Sequence, residues 1–186
     1  DFRFGHKGEG NHQRLQEFCK QRDLPCVIVP EQTLGGVRIS STHIRTLLEQ
    51  GRVEEVNRFL GHTHILTGTV VPGKQLGRTM GFPTANVALP KHKALPAFGV
   101  YDCWLETADG SYHPAVVNVG QHPTLPEGNV TVEAHVITEE AIDLYGQHVR
   151  LSFMRFQRPE QRFDSKDALQ EQITRDVEEA KAYFAK

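Results

Sequence analysis

From residue 67 onward the chain consists mainly of short runs rich in β-branched and aromatic residues, and this pattern constrains the fold more than any other feature. Such residues favour strands, and turn signals such as Ala-Asp-Gly at 108–110 and Leu-Pro-Glu-Gly at 125–128 separate the runs. Several short strands at this spacing predict a mainly β domain, either a sandwich or a closed barrel. We expect strands at Thr67–Val71, Gly99–Leu105, Pro114–Val119, Val130–Ile137 and Val149–Phe156.

The first 60 residues have a different residue pattern, in which apolar residues recur at helical spacing and β-branched runs are few. They predict a helix within 9–23 and a short apolar strand at Cys26–Pro30. Two further helices should end at Gly51 and Gly61. The cap candidates of the first of these two are Ser40, Ser41 and Thr42. We therefore expect an α/β segment over residues 1–62 and a β domain over 63–186. The chain does not begin with Met, which suggests a truncated α/β part.

Residues 163–184 predict a C-terminal helix. Asp164 and Asp167 have the spacing of a capping box at its start. One face of this helix is apolar, so we expect it to pack on the β domain. The residues of that face are Leu169, Ile173, Val177, Ala180 and Phe184.

Composition excludes several classes of protein. A net charge of -2 is unusual for a nucleic-acid-binding surface, and no run reaches the length of a membrane span. The three cysteines lack paired spacing, which disfavours a disulfide framework or a zinc ribbon, and His62 and His64 lack a third ligand at zinc-site spacing. We expect a cytoplasmic protein without nucleic-acid or membrane partners, of undetermined oligomeric state.

A glycine-rich basic segment precedes a Pro-Thr-Ala-Asn corner at 83–86. Glycines let backbone N–H groups turn toward an anion, and Lys and Arg add charge-assisted hydrogen bonds to phosphate. Thr84 and Asn86 should point to one side and offer the hard oxygen ligands that Mg²⁺ prefers, so the segment indicates a Mg-ATP site. Ordinary hairpin turns are the alternative. The residues of the segment are Gly73, Lys74, Gly77, Arg78 and Gly81.

Two further groups of residues are candidates for a site. Glu133 lies in the middle of an alternating strand, where glutamate is uncommon, so it is either an exposed residue or a base beside a substrate. Arg158, Arg162 and Phe163 precede the last helix and could stack on a planar ligand or fasten that helix to the β domain.

Taken together, these motifs resemble riboflavin kinases in content and order, from about residue 65 to 186. The matching motifs are GTVVPGKQLGRTMGFPTAN, GVYDCWL, AVVNVGQHPT, VEAHVI, DLYG and RPEQRFDSKDALQEQITRD. Upstream, DFRFGHKGEGN and ISSTHIR resemble the second half of the FMN adenylyltransferase module of bacterial bifunctional riboflavin kinase/FMN adenylyltransferases.

The resemblance implies a Greek-key β-barrel with a C-terminal helix that transfers the γ-phosphoryl group of ATP to riboflavin, giving FMN. It assigns Mg²⁺ to Thr84 and Asn86, and the base at the ribityl hydroxyl to Glu133. ATP would contact the glycine-rich segment (Gly73, Lys74, Gly77, Arg78 and Gly81) and Thr84. Arg158, Arg162 and Phe163 would belong to a mobile flap near the flavin, and Glu133 would also contact the flavin.

The chain departs from the bifunctional pattern at its N-terminus. The Gly-rich strand and the His-x-Gly-His motif of the adenylyltransferase module are absent from these residues, so we expect riboflavin phosphorylation rather than FAD synthesis. Two alternatives stay open: a chain that also adenylylates FMN, and a flavin-binding module without catalysis.

Overall fold

A computed structural model describes residues 2–73, 81–90, 93–121, 130–138 and 142–186. The chain forms two compact units, one ending at Ile39 and the other beginning at Ser40. Among the helices that the model describes, none has the length and apolar character needed to cross a membrane.

The first unit contains one helix and one small hairpin. Helix α1 spans His12–Gln21, and the Asn11 side chain caps it by accepting a hydrogen bond from the backbone N–H of Arg14 at 3.0 Å. Strands β1 (Thr33–Leu34) and β2 (Val37–Arg38) pair antiparallel. The predicted helix is confirmed, with narrower bounds than expected.

The strand predicted at Cys26–Pro30 is wrong. Residues 26–30 have no regular structure, and the side chains of Val27 and Val29 are 88% and 75% exposed. A strand needs a neighbour to satisfy its backbone groups, and the described residues of this unit form only β1 and β2, which pair with each other. The apolar run alone was therefore insufficient to make a strand.

Two helices open the second unit. Helix α2 spans Ser41–Glu49 and is capped by the Ser40 hydroxyl, which accepts from the backbone N–H of His43 at 3.2 Å. Helix α3 spans Val53–Leu60 and ends at Gly61, whose φ of 74° lies in the left-handed region that glycine tolerates. Both helices contribute buried residues to the core cluster that includes the barrel. They belong to the second compact unit, which begins at Ser40. The predicted domain boundary at 62/63 stays a prediction.

Six antiparallel strands close into a barrel in the order β3-β4-β7-β6-β5-β8, with β8 pairing back to β3. This confirms the mainly β barrel and the five predicted strands, and it adds a sixth, the segment that contains Thr84 and Asn86. The strands are β3 (His64–Val71), β4 (Thr84–Ala88), β5 (Gly99–Glu106), β6 (Tyr112–Gln121), β7 (Val130–Val136) and β8 (His148–Pro159).

The barrel interior is filled by side chains. Tyr101 and Phe153 are fully buried, with their ring centroids 5.2 Å apart in an edge-to-face arrangement. The Tyr101 hydroxyl donates to the carbonyl of Ala97 at 2.5 Å, and burial raises the pKa of this phenol. Side chains therefore fill the centre of the barrel.

Helix α4 spans Lys166–Phe184 and packs on the outer face of the barrel. Its cap is Ser165, whose hydroxyl accepts from the backbone N–H of Ala168 at 3.1 Å, so the predicted capping role of Asp164 is wrong. The predicted apolar face is confirmed, because Val177 and Ala180 are buried together with Val100 and Val116 of the barrel.

A buried polar group links α4 to two strands. Asp102 of β5 is fully buried and accepts hydrogen bonds from Arg155, at 2.5 Å, and from Gln157 of β8. Gln157 also donates to the backbone carbonyl of Asp176 at 3.0 Å, and the Arg155 guanidinium lies 4.7 Å from the centroid of the Tyr183 ring. These contacts fix where α4 lies along the barrel.

His64 makes the stability of the fold pH-dependent. The residue is 9% exposed beside Phe153, and burial lowers the pKa of its imidazole from 6.5. A lowered folded-state pKa means that unfolding takes up a proton, so this contribution to stability is present above the unfolded-state pKa and is lost as the pH falls below it. We expect the free energy of unfolding to fall between about pH 7.5 and about pH 5.5 more steeply in the wild type than in His64→Leu, as measured by urea denaturation. The control is His62→Leu at an exposed histidine, which should keep the wild-type pH dependence. An equal pH dependence of the unfolding free energy in the wild type and His64→Leu, or a dependence reduced as much in His62→Leu, would contradict this role of His64.

Candidate active site

A cavity of about 360 Å³ lies between the outer face of the barrel and α4. This volume falls within the range of small-molecule sites. Its lining combines apolar side chains with a few polar groups from both walls. The lining residues are Phe82, Thr84, Val100, Val116, Asn118, Glu133, His135, Arg158, Glu160, Gln161, Phe163, Leu169, Ile173 and Asp176.

Strand register brings five residues into one row across the outer face. Asn86 of β4 is opposite Glu133 of β7, Glu133 is opposite Asn118 of β6, and the row continues through Val100 of β5 to Arg158 of β8. Directly opposed residues point to the same face of a sheet, so these five side chains share the side on which the cavity lies. Glu133 therefore stands between two carboxamides. Glu133 and Asn118 line the cavity, whereas Asn86 does not.

A second row runs beside the first. Thr84 of β4 is opposite His135 of β7, which is opposite Val116 of β6, and all three line the cavity. Thr84 and Asn86 lie two residues apart on β4 and thus share a face, as the sequence predicts. One hydroxyl oxygen and one amide oxygen are consequently available beside Glu133.

Gly73 lies directly against Asn86. A Cβ atom built on Gly73 would be 1.9 Å from Nδ2 and 2.9 Å from Oδ1 of the Asn86 carboxamide. A side chain at this position would displace the Asn86 amide, so the close approach favours glycine. The first glycine of the predicted phosphate segment thus lies beside one of the predicted metal ligands.

The donor set fits a hard cation such as Mg²⁺. Thr84 and Asn86 provide neutral oxygens, and Mg²⁺ usually keeps several waters and takes further ligands from substrate phosphates. Within the described ranges, no cluster of three or more His, Cys, Asp or Glu side chains could hold a metal by itself. The fit therefore depends on the hydroxyl and amide oxygens of β4.

The other predicted ATP-binding residues lie outside the cavity lining or outside the described residues. Gly81 is in a turn just before β4 with φ of 83° and does not line the cavity. Lys74, Gly77 and Arg78 lie outside the described residues.

Arg158 is held by α4. Its guanidinium forms a bidentate ion pair with the buried Asp176 carboxylate. Nη2 donates to Oδ2 at 2.7 Å, and Nε donates to Oδ1 at 2.9 Å. The same guanidinium lies 5.9 Å from the centroid of the Phe163 ring. Arg158 and Phe163 line the cavity, whereas the exposed Arg162 does not.

Replacing Asp176 with Ala should destabilise the fold by about 3 kcal/mol, because it leaves the largely buried Arg158 charge without its partner. Thermal or urea denaturation measures the change. The control on the same helix is Glu171→Ala, which removes an exposed ion pair with Arg175 at 3.7 Å and should change stability little. Equal effects of the two variants would show that the Arg158–Asp176 pair contributes nothing beyond a surface pair.

Sequence reasoning missed five polar residues of the cavity: Asn118, His135, Glu160, Gln161 and Asp176. Asp176 carried a signal, since it is a carboxylate at helical spacing within the apolar face of α4, between Ile173 and Ala180. His135 shares the outward face of its strand with Glu133, and its Nδ1 lies 3.0 Å from the Pro83 carbonyl oxygen. Burial lowers the pKa of His135 below 6.5, so the imidazole is neutral near pH 7.

Comparison with known proteins gives one consistent family among the curated relatives. The family model described as "Flavokinase: Riboflavin kinase" matches residues 60–184. Bifunctional riboflavin kinase/FMN adenylyltransferases from Escherichia coli K12 and Listeria monocytogenes are 38% and 32% identical over 99% and 100% of this chain. The chain spans 58% and 59% of the length of these two relatives.

Two solved structures are also similar. A Streptococcus pneumoniae protein named as a macrolide-efflux protein superimposes with a TM-score of 0.85 at 31% identity, over 97% of this chain and 58% of its own. Riboflavin kinase from Trypanosoma brucei superimposes with a TM-score of 0.51 at 28% identity, over 66% of this chain and 80% of its own. With the family match over more than half of its residues, the chain belongs to the riboflavin kinase family.

Proposed function

We propose that this chain transfers the γ-phosphoryl group of ATP to the 5′-hydroxyl of riboflavin, giving FMN and ADP. The observation that carries the proposal is the row in which Glu133, a residue of the cavity lining, stands between Asn86 and Asn118. It places one carboxylate next to neutral oxygen donors, and phosphoryl transfer needs positioning and charge neutralisation more than covalent help.

Glu133 is the general base of this proposal. Its carboxylate accepts the proton of the ribityl hydroxyl while that oxygen attacks the γ-phosphorus and the bond to the ADP oxygen breaks. The residue is half-buried on β7, a strand paired on both sides by β4 and β6, so its backbone is fixed. A rigid strand suits a base that must meet one hydroxyl.

Thr84 and Asn86 would hold Mg²⁺, and Gly73 supports the assignment by its close approach to the Asn86 carboxamide. When bound, the metal would neutralise charge on the transferred phosphoryl group. Gly73, Lys74, Gly77, Arg78 and Gly81, together with Thr84, are proposed to contact ATP.

The flavin would lie against the apolar part of the cavity. Val100 and Val116 of the barrel and Ile173 of α4 provide two apolar walls, and Phe163 adds an aromatic ring. These surfaces suit a planar ring system. Arg158 and Arg162 are proposed to lie near the flavin as well. Arg158 lies on β8 in an ion pair with α4, an arrangement that also fits the fastening role considered from the sequence.

The finer parts of the assignment stay predictions. Residues 1–62 are proposed to be the C-terminal part of an FMN adenylyltransferase domain, and 63–186 the kinase domain. FMN adenylylation by this chain is an open alternative, because the relatives it matches carry both names and are longer. The cytoplasmic location and the absence of nucleic-acid and membrane partners also stay predictions.

The test is incubation of the protein with riboflavin, ATP and Mg²⁺, followed by chromatographic separation of riboflavin, FMN and FAD. We expect FMN, with ADP in equal amount, and loss of product when Mg²⁺ is removed by a chelator. FAD as a later product would support the bifunctional alternative. Riboflavin that binds without ATP consumption would overturn the kinase assignment in favour of a binding module.

A further inference from the structure

We propose that His135 is a positioning residue that holds the Pro83–Thr84 corner of β4 in place through the Pro83 carbonyl, so that Thr84 and Asn86 keep the geometry required for Mg²⁺. The inference rests on the proposed function, since it concerns the residues assigned there to the metal.

In the described part of the chain, strand pairing supports this corner from one side. The register between β3 and β4 runs from Thr69↔Ala88 to Val71↔Asn86 and stops there. The register between β4 and β7 extends further, to Thr84↔His135. Among the described strands, Thr84 therefore pairs with β7 and lies beyond the end of the pairing between β4 and β3.

Pro83 cannot continue the strand ladder as a donor, because proline has no backbone N–H. Its carbonyl oxygen is the one backbone polar group that it offers, and His135 Nδ1 lies 3.0 Å from that oxygen. Since a carbonyl only accepts, the hydrogen of the neutral imidazole must be on Nδ1. A side chain of β7 thus attaches the residue that precedes Thr84, where the backbone ladder cannot.

The His135 ring has a second contact in the same corner. Its centroid lies 5.4 Å from that of Phe82 in an edge-to-face arrangement. The segment Phe82–Pro83 is therefore bound to β7 by one hydrogen bond and one ring contact, and β7 also carries Glu133. His135 connects the strand of the proposed base with the strand of the proposed metal ligands.

Two substitutions separate the hydrogen bond from the ring. His135→Phe keeps an aromatic ring and removes the donor, whereas His135→Asn removes the ring but places an amide N–H near the position of Nδ1. FMN formation is measured against free Mg²⁺, and the KM for riboflavin is measured at saturating Mg²⁺. The control is His148→Phe, the same change at an exposed histidine of β8.

In His135→Phe we expect the Mg²⁺ concentration for half-maximal activity to rise about 10- to 100-fold, as for other residues that support metal ligands, with the KM for riboflavin nearly unchanged. His135→Asn should recover most of this loss, and His148→Phe should behave like the wild type. A wild-type Mg²⁺ requirement in His135→Phe, or a larger defect in His135→Asn than in His135→Phe, would overturn the role of the hydrogen bond.

A measurement on the unmodified protein covers the case in which a variant fails to fold. Nitrogen-15 NMR of the histidine rings distinguishes the two neutral tautomers, and we expect the Nδ1–H form for His135. The Nε2–H form would overturn the inference even if FMN is made. Wild-type protein that makes no FMN would overturn the proposed function and this role of His135 with it.

Discussion

Replacing Glu133 with Gln is expected to lower kcat for FMN formation by about 10²- to 10⁴-fold, because the amide has nearly the same size but cannot accept the proton of the ribityl hydroxyl. The affinity for ATP should change little, since the proposed phosphate contacts lie on other residues. Chromatographic rates give kcat, and calorimetric titration with ATP and Mg²⁺ gives the affinity.

The matched control for this substitution is Glu106→Gln. Glu106 is also a glutamate on a barrel strand, but it pairs with Arg150 at 3.2 Å and does not line the cavity. Its kcat should stay at the wild-type value. A Glu133→Gln enzyme with near-wild-type turnover would remove Glu133 from the mechanism and leave positioning as the whole contribution of the protein.

The second large effect is expected from Gly73→Ala, which should lower kcat/KM by about 100-fold. The added methyl group would occupy space that the Asn86 carboxamide now fills, with a Cβ to Nδ2 distance of 1.9 Å. The amide must therefore turn or shift, and the proposed metal ligand moves with it. The free Mg²⁺ requirement should rise in parallel, because Asn86 then supports the metal less well.

A double-mutant cycle tests whether Gly73 acts through Asn86. If it does, Gly73→Ala combined with Asn86→Ala should be little worse than Asn86→Ala alone. Additive losses would instead place the effect of Gly73 elsewhere in the phosphate segment. Gly110→Ala is the control for loss of a glycine, since Gly110 lies in a surface turn with nothing within 4 Å of a built Cβ, and it should affect stability only.

Much of the barrel was predictable because each strand has the alternation of a half-buried sheet. In β7 the alternation placed Val132 and Ala134 inside and Glu133 and His135 outside, and the structure confirms it. Strand β4 was harder to predict, because Pro83 directly precedes it and Asn86 is a poor strand former. Its strand character comes from pairing with β3 and β7, which no local pattern encodes.

The composition of the site could be predicted, but its assembly could not. The sequence identified Thr84, Asn86 and Glu133 as candidates from their chemistry. That Asn86 is opposite Glu133 is a matter of register between strands 47 residues apart, and register depends on how the whole ring closes. Resemblance to riboflavin kinases linked these residues, whereas the residue pattern alone left an exposed Glu133 open.

Errors in the N-terminal part have a common cause. The apolar spacing of α2 and α3 predicted that each helix would bury a face, but not that the covering surface would be the barrel. The run at Cys26–Pro30 predicted a strand from local preference alone, and no neighbouring strand of its unit, among residues 2–39, stabilises it. In both cases the structure depends on the element that packs or pairs with the segment, and the local sequence does not reveal that element.

The two walls of the cavity are attached in different ways, so one keeps a fixed backbone while the shape of the other can change by substitution. One wall belongs to a closed ring of paired strands, which carries Glu133 and Thr84 in the cavity lining and Asn86 next to Glu133. The other wall, α4, is attached by side chains such as Asp176 and Val177. Substitutions in the helix can therefore reshape the space offered to a substrate and leave the backbone of the reacting groups unchanged, so selectivity can diverge in this architecture faster than chemistry.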